Sequence, residues 1–433
     1  MDNWREAYAN KIVTADVAVN QIKSGDRMVL MHAVGEPYEL VDAMVKNKDA
    51  YEKVEIVHMV PMGKAEYCKP EMKGHFYHNS FFLGGSTREH VNSGAGMYTP
   101  VNLSDVPGLF DDYLPPDVCL FQVTPPNKDG FCSYGVSCDF SKHAAETAKL
   151  RIAEINDQYP FVGGDNLIHI SKIDWMVEVS HPVIELPAGK IGEVEQAIGN
   201  NIASLIEDGD CLQLGIGSIP DAVLAALGDK KHLGIHSEMM GSGVVDLVKK
   251  GVIDCTKKTL HPGKIVATFI MGNQALYDFV NNNDMVELYP CDYVNNPAVI
   301  ALNEHLVSIN SCVQVDFTGQ VASESMGATQ FSGSGGQCDF AQGADKSKGG
   351  KGIIAITSTA SKGKISRIVP QLDPGAIVTT PRNLVNYVVT EHGIAQLKGK
   401  NTRDRARALI QIAHPDFRDH LKEEFEKMFH CGF

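Results

Sequence analysis

The chain has 433 residues, 43% hydrophobic and 21% charged, enough apolar material for two or three ordinary cores and too much for a disordered or fibrous chain. Fifty-three Asp and Glu against 39 Lys and Arg give a formal charge of −14, a sign that repels nucleic acid and anionic membrane surfaces and excludes both as main partners. Forty glycines and twenty prolines spread along the chain point to many tight turns and a mixed α/β architecture.

The opening residues MDNWREAYAN are polar and acidic, without a basic region followed by an apolar stretch, so no secretory signal is expected. No run approaches the ~18 apolar residues of a membrane-spanning helix. Ten cysteines at irregular spacings, with no CxxC pair, read as reduced thiols of a cytoplasmic protein. His75 and His78 lie close together but lack an acidic or cysteine companion, and no metal site is expected.

Residues 17–44 (VAVNQIKSGDRMVLMHAVGEPYELVDAM) echo residues 202–227 (IASLIEDGDCLQLGIGSIPDAVLAAL) in the order helix, Gly-Asp turn, apolar strand, turn with proline, helix. Gly25-Asp26 matches Gly209-Asp210, and Pro37 matches Pro220 after one residue of slippage. Two related open α/β domains follow, 1–187 and 188–433, joined by a linker near residues 185–190 and followed by a helical pattern on Ile191, Val194, Ala197 and Ile198. Strands are expected at 54–60, 118–123, 264–270, 305–317, 352–357 and 376–380, and helices at 144–156 and 244–250. The alternation predicts largely parallel sheets, in which ligands bind beyond the carboxyl ends of the strands.

Three segments at such places can carry chemistry. LQLGIGSIP (212–220) runs a strand into Gly-x-Gly and a helix start, which suits an anion or is simply a tight turn; the dinucleotide fingerprint is incomplete. In HLGIHSEMMGSG (232–243) Glu238 ends a strand, as a surface carboxylate, a charge at a helix start or a nucleophile suited to thioesters. FSGSGGQCDF (331–340) can present N–H groups to an oxyanion. The residues that follow gather Lys346, Lys348, Lys351, Lys362, Lys364 and Arg367, either a phosphate-binding patch or a solvated loop. Of the asparagines in YVNNP (293–297), one is expected to cap a helix, with a side-chain amide aimed at a reacting oxygen as the alternative.

Taken together with TPPNKDGFCSYGVS (124–137), QVDFTGQV (314–321), VTEHGIAQLKGK (389–400) and RARALIQIAHPDF (405–417), these segments resemble the acetyl-CoA hydrolase/transferase family over nearly the whole chain. The resemblance implies two α/β domains of one fold, with Glu238 as the nucleophile and Gly215, Ile216, Gly217, Ser218 and Ile219 as the CoA-binding turn. It places further CoA contacts on Val313, Gly336 and Lys362, and an oxyanion-stabilising pair on Asn295 and the Gly336 backbone. The implied activity is ping-pong transfer of CoA between 4-hydroxybutyryl-CoA or butyryl-CoA and acetate through a glutamyl-CoA thioester. It also implies a homodimer, with small-molecule acyl-CoA and carboxylate substrates and no cofactor beyond CoA as co-substrate. A hydrolase using the same glutamate remains open; a non-catalytic CoA-binding module is disfavoured by an intact Glu238.

Overall fold

The computed structural model describes residues 3–187 and 189–433. The chain divides into two compact units, Met1–Leu186 with Val266–Val294, and Pro187–Ile265 with Asn295–Phe433. The expected domains thus differ from these units in one segment, 266–294. Its strand Ile265–Ile270 takes up the backbone of residues 136–139: the Cys138 and Asp139 N–H groups donate to the Thr268 carbonyl, and the Ile270 N–H donates to that of Val136. Such pairing at long range leaves no mark on local composition. Of the linker expected at 185–190, residue 188 lies outside the described residues.

In the first unit, β1 (Arg27–Leu30), β2 (Val54–Met59), β3 (Phe76–Phe82), β4 (Met97–Tyr98), β5 (Val118–Val123), β6 (Leu150–Asn156) and β7 (Trp175–Val179) form a parallel sheet in the order β7-β6-β5-β1-β2-β3-β4. Successive residues serve opposite faces. Met28 and Leu30 of β1 join one core with Val54, Ile56 and Leu120, while Val29 joins another with Val57, Phe81, Cys119 and Phe121. Both faces are therefore covered, which is why these strands read as unbroken apolar runs.

The second unit holds β8 (Cys211–Leu214), β9 (Gly234–Met240), β10 (Leu306–Ser311), β11 (Lys351–Ala355), β12 (Tyr387–Thr390) and β13 (Gly393–Gln396) in the order β13-β12-β11-β10-β8-β9. All of these pair in parallel except the closing hairpin β12-β13. Among the helices are α1 (Tyr38–Lys46) in the first unit and α2 (Glu193–Ala203), α3 (Ser218–Ala225), α4 (Gly243–Lys249) and α5 (Gln337–Lys346) in the second.

The internal echo is structural as well as sequential. Asp26 accepts the Lys23 N–H at 2.8 Å, and Asp210 accepts the Glu207 N–H at 2.9 Å. The Gly25 N–H donates to the Glu52 carbonyl and the Gly209 N–H to that of Lys231, each at 2.9 Å. Each turn feeds the strand, β1 or β8, on whose far end a helix begins.

Two expected elements are corrected. Residues 144–156 form a short helix, Ser141–Thr147, and then strand β6. Ala, Glu and Lys favour a helix there, but pairing to β5 on one side and β7 on the other overrides that weak preference. Residues 376–380 form no strand: Ile377 and Val378 are exposed, and Thr380 makes an isolated bridge to Val321. The 305–317 run breaks into β10 and a short strand Gln314–Asp316.

All ten cysteines are free, eight of them buried. Among the described residues no helix is long and apolar enough to cross a membrane, and no group of three His, Cys, Asp or Glu side chains is placed to hold a metal ion.

Candidate active site

β8 and β9 are neighbours in the second unit's sheet, and both end at its carboxyl edge. From β8 the chain passes through Gly215, Ile216 and Gly217 into α3, whose first residues are Ser218 and Ile219. Gly217 has φ +107°, a conformation that L side chains rarely adopt, and a Cβ on Gly215 or Gly217 would meet open space. Residues 215–217 are exposed, including the apolar Ile216 at 45%. The open backbone at the start of a helix can accept an anionic group. Asp221, in the first turn of α3, accepts the Gly189 N–H at 3.1 Å, and burial raises its carboxyl above the usual range.

On β9, alternation divides the side chains. Ile235, Ser237 and Met239 line a recess with Leu214, Gly215 and Val244. His236 and Glu238 face the other side, where the His236 ring lies 6.3 Å from that of Phe340 on α5. Glu238 is half-buried, and its Oε2 accepts a hydrogen bond from Asn295 Nδ2 at 2.8 Å.

Asn295 is fully buried between the short helices Cys291–Val294 and Pro297–Ala301, and its Oδ1 has no hydrogen-bond partner among the described residues. The next residue is the cap: Asn296 accepts the Ala298 N–H at 2.9 Å. The two roles weighed for the Asn-Asn pair are thus divided between adjacent residues. Gly336 precedes α5, and a Cβ there would overlap both Glu238 Oε2 and Asn295 Nδ2. Only a residue without a side chain lets the helix start come this close to the carboxylate.

The remaining expected site residues are Val313 and Lys362. The Val313 N–H donates to the Ala322 carbonyl at 2.7 Å, and the Val313 carbonyl accepts from Arg367 Nε at 2.9 Å, so both backbone groups are engaged and a ligand would meet its side chain. Lys362 is exposed at the tip of the hairpin Thr359–Ala360/Ile365–Ser366, with φ +59°.

The basic cluster read as one patch divides. Lys348 pairs with Glu304 at 3.3 Å, and Lys351 pairs with Asp210 at 3.4 Å and Glu207 at 3.6 Å, where β11 begins at the opposite edge from the Gly215 turn. Arg367 spends its guanidinium on the carbonyls of Cys312 and Val313 and on Thr357 Oγ1. Alternate pairing to acids and to the backbone, invisible in a count of basic residues, explains the division.

Glu238, Asn295 and Gly336 therefore come together from three separate segments, beside the strand that ends in the Gly215 turn. Such a cluster offers a held carboxylate, an amide donor and a helix start with no side chain in the way.

Residues 1–186 match the model of the acetyl-CoA hydrolase/transferase N-terminal domain, and residues 272–425 match that of the C-terminal domain. The chain belongs to the acetyl-CoA hydrolase/transferase family. It is 62% identical to a 4-hydroxybutyrate coenzyme A transferase of Clostridium kluyveri, covering 98% of this chain and all of that protein. It is 38% identical to a butyryl-CoA:acetate CoA-transferase of Anaerostipes caccae, covering 98% of each. A crystal structure of a 4-hydroxybutyrate CoA-transferase from Porphyromonas gingivalis superimposes with a TM-score of 0.86 at 46% identity, over 99% of this chain and 100% of that one. By class, this chain is a CoA-transferase.

Proposed function

We propose that the protein transfers CoA between 4-hydroxybutyryl-CoA or butyryl-CoA and acetate, with Glu238 as the nucleophile. The observation that carries this reading is the Glu238–Asn295 hydrogen bond against Gly336, at the strand next to the Gly215 turn. The names of the relatives support the choice of substrates.

In the first step a Glu238 carboxylate oxygen attacks the thioester carbonyl. The C–S bond breaks, leaving an acyl-glutamyl anhydride and CoA thiolate. The thiolate then attacks the Glu238 carbonyl and the acyl group departs as a free carboxylate, leaving a glutamyl-CoA thioester. Acetate enters and the same steps run in reverse, releasing acetyl-CoA and restoring Glu238. Atoms and charge balance without any change of oxidation state. Each attack passes through a tetrahedral oxyanion; Asn295 Nδ2 and the backbone at Gly336 are its donors, and removing one such donor costs about 10²- to 10³-fold in rate. The turn 215–219 receives CoA through its open backbone, with Val313 and Lys362 as further contacts. The reading includes a cytoplasmic homodimer.

The test is to incubate the protein with butyryl-CoA or 4-hydroxybutyryl-CoA, with and without acetate, and to separate the CoA species. Acetyl-CoA formed only when acetate is present is the expected result. Free CoA accumulating equally in both tubes would make the protein a hydrolase.

A further inference from the structure

Beyond Leu212 the two strands that carry the candidate site stop pairing. β8 and β9 hold register at Cys211↔Gly234 and Leu212↔Ile235, whereas on its other side β8 stays paired with β10 as far as Leu214↔Ile309. The first register, continued, sets Leu214 against Ser237 and Gly215 against Glu238. At that point a side chain replaces the ladder. The Ser237 hydroxyl accepts the Leu214 N–H at 3.2 Å and donates to the Leu214 carbonyl at 3.1 Å. One hydroxyl thus serves both backbone groups of the last residue of β8, from which the 215–219 turn departs. Ser237 is 1% exposed, and the recess beside it, lined by Gly215, Ile216, Met239 and Val244, marks where the strands part.

We propose that Ser237 is a positioning residue whose two-way bond to Leu214 sets the separation between the Gly215–Ile219 turn and the carboxylate of Glu238. The inference rests on the reading of that turn as the CoA site and of Glu238 as the nucleophile. Attack requires the carboxylate oxygen about 3–3.5 Å from the thioester carbon, and a misplacement of about 1 Å can cost ~10²-fold. CoA is held by the turn and the carboxylate by β9, so whatever ties β9 to the end of β8 governs that distance. Asn295 holds the carboxylate from one face of β9, and Ser237 ties the strand from the other. Because the bond fixes geometry and does not touch CoA, its loss falls on kcat and leaves KM for acyl-CoA nearly unchanged.

The test compares Ser237→Ala, Ser237→Cys and Ser237→Thr in the full chain, in whichever acyl-CoA reaction the unaltered protein performs, transfer to acetate or release to water. Ala and Cys are expected to lower kcat about 10- to 100-fold, with KM for acyl-CoA within about threefold. Thr keeps the hydroxyl and is expected to stay within about threefold of the unaltered kcat. Ala at full kcat, Thr as impaired as Ala, or a loss carried by KM would each overturn the proposal. Where Ala fails to fold, the isosteric Cys decides on the same criteria. An unaltered protein that turns over no acyl-CoA would overturn the catalytic reading and this inference together, whereas an active protein indifferent to Ser237→Ala would overturn the inference alone.

Discussion

Asn295 Nδ2 donates to Glu238 Oε2 at 2.8 Å, from a side chain that is completely buried. In the proposed mechanism this buried amide sets the direction of the half-buried carboxylate before substrate arrives and serves as a donor for the oxyanion afterwards. Asn295→Ala should lower kcat by about 10²-fold, the cost of one oxyanion donor, with a smaller change in KM. Asn295→Asp places a second carboxylate on the first and should be the more damaging. Steady-state kinetics with butyryl-CoA and acetate check both; an Asn295→Ala enzyme at full kcat would remove Asn295 from the chemistry.

Gly336→Ala is a test by overlap. The added Cβ would enter the space of Glu238 Oε2 and Asn295 Nδ2, so the pair must move apart. A loss of kcat of about 10²-fold or more is expected from the displaced nucleophile. Gly336 is the N-cap of α5, where Ala is the poorer residue, so the unfolding temperature should fall as well. Activity and a thermal melt on the same preparation separate the two effects.

Lys362 stands exposed at a hairpin tip. With a CoA phosphate as its partner, Lys362→Ala should raise KM for acyl-CoA by up to about tenfold, the worth of one charge-assisted hydrogen bond, and leave kcat nearly unchanged. Unchanged KM would place the phosphate elsewhere.

Two buried groups in the first unit give the stability opposite slopes in pH. Burial pushes the Glu36 carboxyl up to about 7, against the Gly63 N–H that donates to it at 2.9 Å. The unfolded chain ionises this group near 4.5, so its contribution is present below that value and is lost as pH rises through about 7. Glu36→Gln should therefore gain about 2 kcal/mol on the unaltered protein between pH 5 and pH 8, read from denaturant melts at the two pH values.

Burial pushes His78 down to about 4. Here the unfolded state binds the proton first, so stability is full above about 6.5 and is lost as pH falls toward 4. His78→Gln should flatten the acid side of the curve, and an unchanged slope would show that His78 is not responsible for it.

The sequence was most legible where local pattern and final pairing agree. The Gly-Asp turns at 25–26 and 209–210 share composition and, in the structure, share hydrogen bonds, because each turn needs the same carboxylate to accept the same N–H three residues back. Strand β6 reads as helix because its Leu, Arg, Ala and Glu favour one, while its neighbours on both sides are strands. The segment 266–294 joins the compact unit of the first half because its partners lie over one hundred residues away, and local sequence carries no sign of that pairing. At the site, Glu238 and the Gly215 turn stand out as a strand end and a glycine turn, but which of Asn295 and Asn296 meets Glu238 depends on the geometry of a short loop. Ser237 gave only one signal, its place directly before Glu238, and its bond to Leu214 depends on where the β8–β9 ladder stops.

The central claim, a covalent glutamyl-CoA on Glu238, is tested most directly by intact and peptide mass spectrometry of the protein after exposure to butyryl-CoA without an acceptor carboxylate. A mass gain of one CoA less one water, on the peptide that holds Glu238 and absent in Glu238→Gln, is the predicted result. An active protein that stays unmodified, or one that carries the adduct on another residue, would contradict the mechanism.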